Sequence, residues 1–368
     1  MSNLSEQSRL TPSAAQLPVH VYFDESLLAQ EQQTLFRNGP AYVGHDLWVP
    51  EPGHYRALEW EHNGRALVRD AAGVKLISNV CRHRQAVMLK GSGKTDNIVC
   101  PLHRWTYSLD GQLLGAPHFN EPQTCRHLQS WPLQNWRGLN FSTPMNMATE
   151  MAGAPFAGEI DFSGYVLDQV HMHECNYNWK TFIEVYLEDY HVDPFHPGLG
   201  QFVDCANLQW HWGTHWSAQS VGIKGGLRRP GTPTYEKWHK AVTRFTNGVI
   251  PPHGAIWFCL YPNVMVEWYP HVLVVSTLHP RGPRKTLNVV EFYYPEEISW
   301  FEREFVEAER AAYMETAVED DEIAERMDEG RWALMQRGTS ETGPYQSPME
   351  DGMLHFHEWY RRHLMSDV

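Results

Sequence analysis

Two cysteine–histidine pairs are the feature that most restricts the fold of this 368-residue chain. Cys81 and His83 form a C-x-H pair, and after sixteen further residues Cys100 and His103 form a C-x-x-H pair. Each pair ends a short apolar run and enters a loop, where side chains from separate loops can point at one centre. Two thiols and two imidazoles at such positions indicate a metal centre within a small β domain.

Two kinds of metal centre use two cysteines and two histidines. A tetrahedral zinc site usually has a C-x₂₋₄-C pair followed by an H-x₃₋₅-H pair. A Rieske [2Fe–2S] cluster binds two cysteines on one iron and two histidines on the other. Because each half of the motif contributes one cysteine and one histidine, the sequence predicts a Rieske cluster. Structural zinc, or structural cysteines beside surface histidines, are the alternatives.

The same residues carry a family resemblance. Cys81-Arg82-His83-Arg84 and Cys100-Pro101-Leu102-His103-Arg104-Trp105 closely resemble the cluster motifs of the alpha subunits of ring-hydroxylating and related Rieske non-haem iron oxygenases. The resemblance implies that Arg84 and Trp105 surround the cluster and tune its reduction potential.

A second pair of histidines, His191 and His196, lies in the segment that begins at Asn178. A mononuclear Fe(II) oxygenase needs two histidines and one carboxylate, with coordination positions left open. Residues five apart lie on different faces of a regular helix. Pro194 is predicted to break the helix between them, which would let both rings reach one metal. From spacing alone, two unrelated histidines are an equally good interpretation.

This segment resembles the NWK…ExYHxxxxH stretch of the same oxygenase family, which implies that His191 and His196 bind the catalytic iron. Glu188 occupies the position of the family's bridging carboxylate, and Asp189 is the neighbouring alternative. The resemblance implies that Glu188 connects His191 to His103 of an adjacent subunit.

One position departs from the family pattern. Many relatives have Asn immediately after the first Glu of this segment, whereas here Val185 follows Glu184. An amide near the iron is therefore not expected at this position.

The third iron ligand is expected in the acidic stretch TAVEDDEIAERMDEGRW. In the family, the ligand Asp precedes a Glu by five residues and a Gly by ten. Asp320 fits both spacings, with Glu325 and Gly330, whereas Asp321 misses them by one residue. The alternative is an acidic helix face that is simply solvated.

The pattern of apolar runs predicts an α+β fold. Residues 1–40 read as a lead-in with a helix at about 25–38, expected to pack on the catalytic domain. Residues 41–145 are rich in short strands, with a hairpin turn at Asp110-Gly111, and the resemblance implies that they form the Rieske domain. Residues 146–368 are predicted to form a larger antiparallel sheet with helices on one face, which the resemblance implies is a catalytic domain of the helix-grip type. Its principal predicted elements are a strand at 165–175 and helices at 179–190 and 295–328.

Composition excludes several classes of protein. The formal net charge of −14 disfavours nucleic acids and anionic membranes as partners. No apolar run approaches the ~20 residues of a membrane helix, and the polar N-terminus does not resemble a signal peptide. Six cysteines are too few for a disulfide scaffold. A cytoplasmic protein is predicted.

Other histidines and cysteines are predicted to be structural residues without a metal. The histidines expected to be partly buried are His171, His173, His355 and His357. The cysteines expected to lie in the core or to be semi-buried are Cys125, Cys175, Cys205 and Cys259.

The resemblance implies a terminal oxygenase that takes electrons from a separate NAD(P)H-dependent reductase, with or without a ferredoxin. A separate reductase is expected because the chain has no G-x-G-x-x-G or P-loop motif. With O₂, a homotrimer would monohydroxylate, dihydroxylate or demethylate a small organic substrate, expected to be aromatic and to belong to aromatic compound catabolism. The alternative function is Rieske electron transfer or redox sensing without oxygenase activity.

Overall fold

The structure is a computed structural model that describes residues 16–119 and 126–365. Cys125 and the first fifteen residues lie outside the described residues. The chain divides into two units: Asn38–Ala152, and Met1–Arg37 together with Gly153–Val368.

The smaller unit consists of short antiparallel strands, because turn residues interrupt its apolar runs every few positions. The strands are β1 (Tyr42–His45), β2 (His54–Ala57), β3 (Arg65–Asp70), β4 (Gly73–Ser78), β5 (Ser92–Lys94), β6 (Ile98–Val99), β7 (Thr106–Tyr107), β8 (Leu113–Gly115), β9 (Ser130–Trp131), β10 (Gln134–Trp136) and β11 (Leu139–Phe141). They form three sheets, in the orders β5-β2-β3-β4-β9, β1-β11-β10 and β6-β7-β8. The predicted hairpin turn joins β7 to β8, and Gly111 has a φ of +89° there. A helical turn follows at Met147–Glu150.

The larger unit is built on one antiparallel sheet. Its strands are β12 (Tyr165–Cys175), β13 (Val203–Trp212), β14 (Trp216–Ile223), β15 (Ala255–Leu260), β16 (Val264–Tyr269), β17 (Val272–Gly282) and β18 (Lys285–Pro295). Their order is β12-β18-β17-β16-β15-β14-β13. Every residue of β15 is buried, which explains why the sheet's central strands read as continuous apolar runs.

Helices cover one face of this sheet. They are α1 (Glu25–Glu31), α2 (Trp179–Tyr186), α3 (Val192–Phe195), α4 (Leu199–Phe202), α5 (Pro233–Phe245), α6 (Glu296–Phe301), α7 (Arg303–Gln336) and α8 (Asp351–Leu364). Trp257 and Cys259 are two positions apart on β15 and therefore point to the same face. Trp257 belongs to the same buried cluster as Phe305 of α7, and Cys259 to the same cluster as Phe356 of α8. The predicted α+β fold class is confirmed.

Several element boundaries differ from the prediction. The charged segment predicted as one helix at 295–328 is α6 followed by α7, separated at Glu302, whose φ of −125° and ψ of 55° are not helical. The predicted N-terminal helix is α1 continued by a π-helix, Gln32–Arg37. Helices α5 and α8 and strand β13 were not predicted. For α5, the N-cap Thr232 and Pro233 in the first turn were usable start signals.

Within the described ranges, no helix combines the length and the apolar character needed to span a lipid bilayer.

Candidate functional site

The four predicted cluster ligands lie on two similar loops of the smaller unit. One loop follows β4 and is closed by a bridge between Val80 and Val87, and the other connects β6 to β7. In each loop, the fourth residue after the cysteine donates its N–H to that cysteine's carbonyl, at 3.1 Å. These fourth residues, Gln85 and Arg104, have positive φ angles of 56° and 61°. The tight turns place a cysteine and a histidine from each loop near those of the other.

The two kinds of ligand occupy different environments. Cys81 and Cys100 are buried, with 2% exposure each, and neither forms a disulfide. His83 is half-buried and His103 is exposed, and their ring centroids are 4.6 Å apart. The His83 ring stacks on Trp105 with centroids 5.1 Å apart.

Nearby groups prepare these side chains for a metal centre. Desolvation, followed by the charges of His103 and Arg84, lowers the pKa of His83 and favours the neutral imidazole that binds metal. The buried His83 Nδ1 has no hydrogen-bond partner. The Tyr107 hydroxyl lies 3.6 Å from Cys81 Sγ, within reach of a thiolate ligand. Two buried thiols beside two imidazoles, one of which has a buried ring nitrogen without a hydrogen-bond partner, fit a [2Fe–2S] cluster.

The second site lies in the larger unit, where the chain leaves α2. The prediction that Pro194 breaks a helix between the histidines is wrong. Helix α2 already ends at Tyr186, and Pro194 lies inside the single-turn helix α3. His191 and His196 flank that turn as its N-cap and C-cap. Beyond the end of α2, the Asp189 N–H donates to Met349 O, at 3.0 Å, and does not continue the helix.

Three donor atoms converge at this site. His191 Nε2 and His196 Nε2 are 2.9 Å apart. Asp320 Oδ1, from α7, lies 3.4 Å from His191 Nε2 and 3.0 Å from His196 Nε2. Asp320 Oδ1 is buried and otherwise without a hydrogen-bond partner. Two imidazoles and one carboxylate with this geometry fit the ligand set of a mononuclear Fe(II) oxygenase.

A carboxylate lies behind each imidazole. Glu319 Oε2 lies 2.7 Å from His196 Nδ1, a hydrogen bond that orients the ring. Glu188 Oε2 accepts the His191 backbone N–H at 3.0 Å, and its Oε1 lies 2.6 Å from His191 Nδ1. The second contact is close enough for an ion pair but does not count as a hydrogen bond, so the buried His191 Nδ1 has no hydrogen-bond partner. Sequence analysis missed Glu319, although it immediately precedes Asp320.

The acidic surroundings make the site attractive to cations. Burial lowers the pKa of His191, but Asp320 and Glu188 outweigh burial and raise it to about 10. Burial raises the pKa of Asp320, but the two imidazoles outweigh that effect and hold it below its usual value. Asp189, the alternative to Glu188, is buried, and burial together with the Glu188 charge raises its pKa to about 7.

Asp321, the alternative third ligand, has other partners. His173 Nε2 lies 2.7 Å from Asp321 Oδ2, and the Tyr177 hydroxyl donates to Asp321 Oδ1 at 2.7 Å. Cys175 approaches the same group. Burial raises the pKa of Cys175 to about 12, so its thiol is protonated and is a poor ligand. Sequence spacing did not reveal the carboxylate that pairs with His173.

Three other positions that the sequence analysis discussed are buried. Val185, where many relatives have Asn, is buried and packs near Tyr177 and Ala324. His355 and His357 were expected to be partly buried, but both are fully buried on α8.

A cavity of about 120 Å³ opens beside the converging donors. His191, His196 and Asp320 line it, together with aromatic side chains from the sheet and α7. Three buried carboxyl groups, those of Asp189, Glu267 and Glu309, also line the cavity. Burial raises the pKa of Glu267 to about 7 and that of Glu309 to about 8. Glu267 is the charged residue in the apolar strand VMVEWY, a signal that sequence analysis did not use.

Comparison with known proteins covers both units. The family model of the ring-hydroxylating alpha subunit (catalytic domain) matches residues 162–366, and that of the Rieske [2Fe-2S] domain matches residues 40–133. Putrescine 2-hydroxylase of Ralstonia nicotianae is 67% identical over 98% of this chain and 99% of its own length. Putrescine 2-hydroxylase of Bordetella bronchiseptica is 56% identical over 98% and 87%.

A solved structure shares the fold. The crystal structure of the quaternary ammonium Rieske monooxygenase CntA has a TM-score of 0.77 and 20% identity, covering 95% of each chain. The two matched domains imply a [2Fe–2S] cluster, a mononuclear iron, O₂ and electrons supplied by a reductase. The chain belongs to the ring-hydroxylating alpha subunit family and is a Rieske oxygenase, the terminal component that hydroxylates a small organic substrate.

Proposed function

We propose that the chain is a monooxygenase that hydroxylates putrescine, an aliphatic diamine, at carbon 2. The observation that carries this proposal is a cavity lined by the proposed iron ligands and by three buried carboxyl groups, those of Asp189, Glu267 and Glu309. A doubly charged amine suits such a cavity better than an aromatic acid does, because a nearby cation favours the ionised form of these carboxyl groups and a further carboxylate opposes it. The names of the two putrescine 2-hydroxylases support the same substrate.

The proposed ligands follow from the two donor sets. Cys81, His83, Cys100 and His103 hold the [2Fe–2S] cluster, and His191, His196 and Asp320 hold the iron. When bound, the iron supplies O₂ activation for hydroxylation of a C–H bond. The chain's own task is to orient His196 through its hydrogen bond to Glu319, to keep the Glu188 carboxylate beside His191, and to hold the substrate carbon within the cavity.

We also propose that the active form is a homotrimer in which the cluster of one subunit serves the iron site of the next. Glu188 is half-buried and next to His191, as a carboxylate at the junction of two subunits would be. A head-to-tail ring of this kind closes by ordinary rotational symmetry. The reductase could pass electrons directly or through a ferredoxin.

The first experiment combines metal analysis with turnover. About three irons and two acid-labile sulfides per chain, with a rhombic Rieske signal in electron paramagnetic resonance, are expected from the two donor sets. With NAD(P)H, a reductase and O₂, putrescine should give 2-hydroxyputrescine in proportion to the O₂ consumed.

Two outcomes would contradict the proposal. Product formation only from an aromatic acid would reject the diamine, and electron transfer without any hydroxylated product would favour the carrier or sensor function.

A further inference from the structure

We propose that Glu267 binds the ammonium group of the substrate that lies remote from the iron, and thereby selects a diamine over a monoamine. This inference rests on the proposed function and assigns a residue to substrate specificity.

Glu267 is placed as a binding residue would be. It lies on β16, opposite Trp257 of β15, and its side chain is buried at 4% exposure while lining the cavity. The Tyr269 hydroxyl donates to Glu267 Oε2 at 2.6 Å, and the Tyr313 hydroxyl donates to Oε1 at 3.2 Å. Trp257 Nε1 in turn donates to the Tyr269 hydroxyl at 2.9 Å.

These contacts hold the Glu267 carboxyl group but supply no positive charge, and burial raises its pKa to about 7. Among the described residues, Glu267 has hydroxyl partners and no basic side chain in an ion pair. A buried carboxylate without a cation is unfavourable, and an ammonium group entering the cavity would remove that cost. Trp257 and Tyr269 also line the cavity, and aromatic rings attract an ammonium group.

The position of Glu267 relative to the iron ligands suits a short alkyl chain. Tyr313, which contacts Glu267, and Asp320 lie seven residues apart on α7, and residues at this spacing share one face of a helix. Seven residues correspond to about 10 Å of helix axis. A four-carbon diamine could therefore present an inner carbon near the triad while its far ammonium group reaches Glu267.

The neighbouring carboxyl group is less suited to this role. Glu309 lies one turn before Tyr313 on α7 and accepts a hydrogen bond from Tyr294. Its pKa is raised to about 8, by burial first and also by the charge of Glu267. Burial also raises the pKa of Glu267, but only to about 7, so of the two carboxyl groups Glu267 takes the charged form more readily.

The test measures binding to the anaerobic holoenzyme, which requires no turnover. Dissociation constants are determined for putrescine and for 1-aminobutane, which has the same carbon chain but a single ammonium group. Wild-type protein should prefer putrescine, and Glu267→Gln should weaken putrescine binding by about 100-fold. Binding of 1-aminobutane should change by less than about threefold, because it lacks the second ammonium group.

Glu291→Gln is the matched control. Glu291 is also a buried glutamate on this sheet that accepts a hydrogen bond from a tyrosine, Tyr293, but it does not line the cavity. This variant should leave both dissociation constants unchanged. If Glu267→Gln folds poorly, Glu267→Asp replaces it. The shorter carboxylate should shift the preference from putrescine toward 1,5-diaminopentane.

The outcomes separate the two proposals. Equal weakening of both amines in Glu267→Gln, or unchanged putrescine binding, would overturn the role of Glu267. If wild-type protein binds putrescine and the variant loses selectivity, the inference is supported. Failure of the wild-type protein to form 2-hydroxyputrescine, measured separately, would overturn the proposed function instead.

Discussion

Asp320 and Asp321 are adjacent on α7 but contact different groups. Successive side chains on an α-helix point about 100° apart. Asp320 therefore meets His191 and His196, whereas Asp321 meets His173 and the Tyr177 hydroxyl. The two carboxylates thus contact different groups although they are adjacent in sequence.

Replacing each aspartate by asparagine tests this division. Asp320→Asn should remove the mononuclear iron and reduce turnover by at least about 100-fold, because it removes a charged ligand. Asp321→Asn should retain most of the iron, since its partners are not ligands. Iron and sulfide are counted in both variants, and the sulfide content should stay at the wild-type value. Iron loss in Asp321→Asn alone would reverse the assignment.

Glu319 acts on the metal through His196. Glu319→Gln removes a charged acceptor from His196 Nδ1 and should weaken iron affinity by about 10–100-fold. Affinity is measured by competition with a chelator. Glu322→Gln is the control, because Glu322 lies on the same helix but is exposed and pairs with Arg326. The same loss in both variants would indicate a general charge effect.

At the scale of elements, Glu184 connects four segments of the larger unit. Helix α2 carries Glu184, whose carboxylate is fully buried. It accepts hydrogen bonds from Arg331 of α7, at 2.5 Å, from His357 of α8, at 2.8 Å, and from the Tyr22 hydroxyl. Burial lowers the pKa of His357, so that ring donates as a neutral imidazole and Arg331 supplies the positive charge. This ion pair joins α2, which leads into the segment with His191, to α7, which carries Asp320.

Removing one partner of this pair should destabilise the protein strongly. Arg331→Met leaves the Glu184 carboxylate buried without its cation and should cost about 3–5 kcal/mol in free energy of unfolding. The double variant Glu184→Gln/Arg331→Met should recover much of that loss, because no charge is left unpaired. Urea unfolding followed by tryptophan fluorescence measures both. A double variant as unstable as the single one would contradict this explanation.

The same carboxylate predicts a pH dependence of stability. Burial alone would raise the pKa of Glu184, but Arg331 and His357 outweigh it and lower the pKa to about 2. A folded-state pKa below the unfolded value adds stability above about pH 4.5, and this stability is lost as the pH falls toward 2. Unfolding free energies measured from pH 6 to pH 3 should fall less steeply for Glu184→Gln. An identical slope would exclude Glu184 as a source of acid sensitivity.

At the scale of the whole molecule, Glu188 tests the proposed trimer. Glu188→Gln should retain both metal centres but slow electron transfer between subunits, seen as a lower rate of cluster oxidation in a single turnover. Native mass spectrometry should give a trimer for the wild-type protein and the variant alike. A monomeric wild-type protein, or an unchanged single-turnover rate, would contradict the bridging role.

Much of the larger unit could be predicted from local pattern. The strand predicted at 165–175 is confirmed with the same bounds, and the late acidic segment is helical. Helix α8 was missed because polar and aromatic residues are mixed along it, so its sequence gives no clear apolar face. In the structure, its buried side chains pack in one cluster with Trp210 and Tyr261. The N-terminal helix belongs to the larger unit although the smaller unit follows it directly in sequence.

The sequence by itself determined the family, the α+β class and the candidate ligands that lie close together along the chain. Cysteine and histidine spacing is local and follows from the chemistry of the metal centres. Tertiary structure decided which aspartate faces His191 and His196, placed Glu319 behind His196 and brought Glu267 into the cavity. Those relations join residues far apart in sequence, and they depend on how α7 rotates and packs against the sheet, which no local pattern specifies.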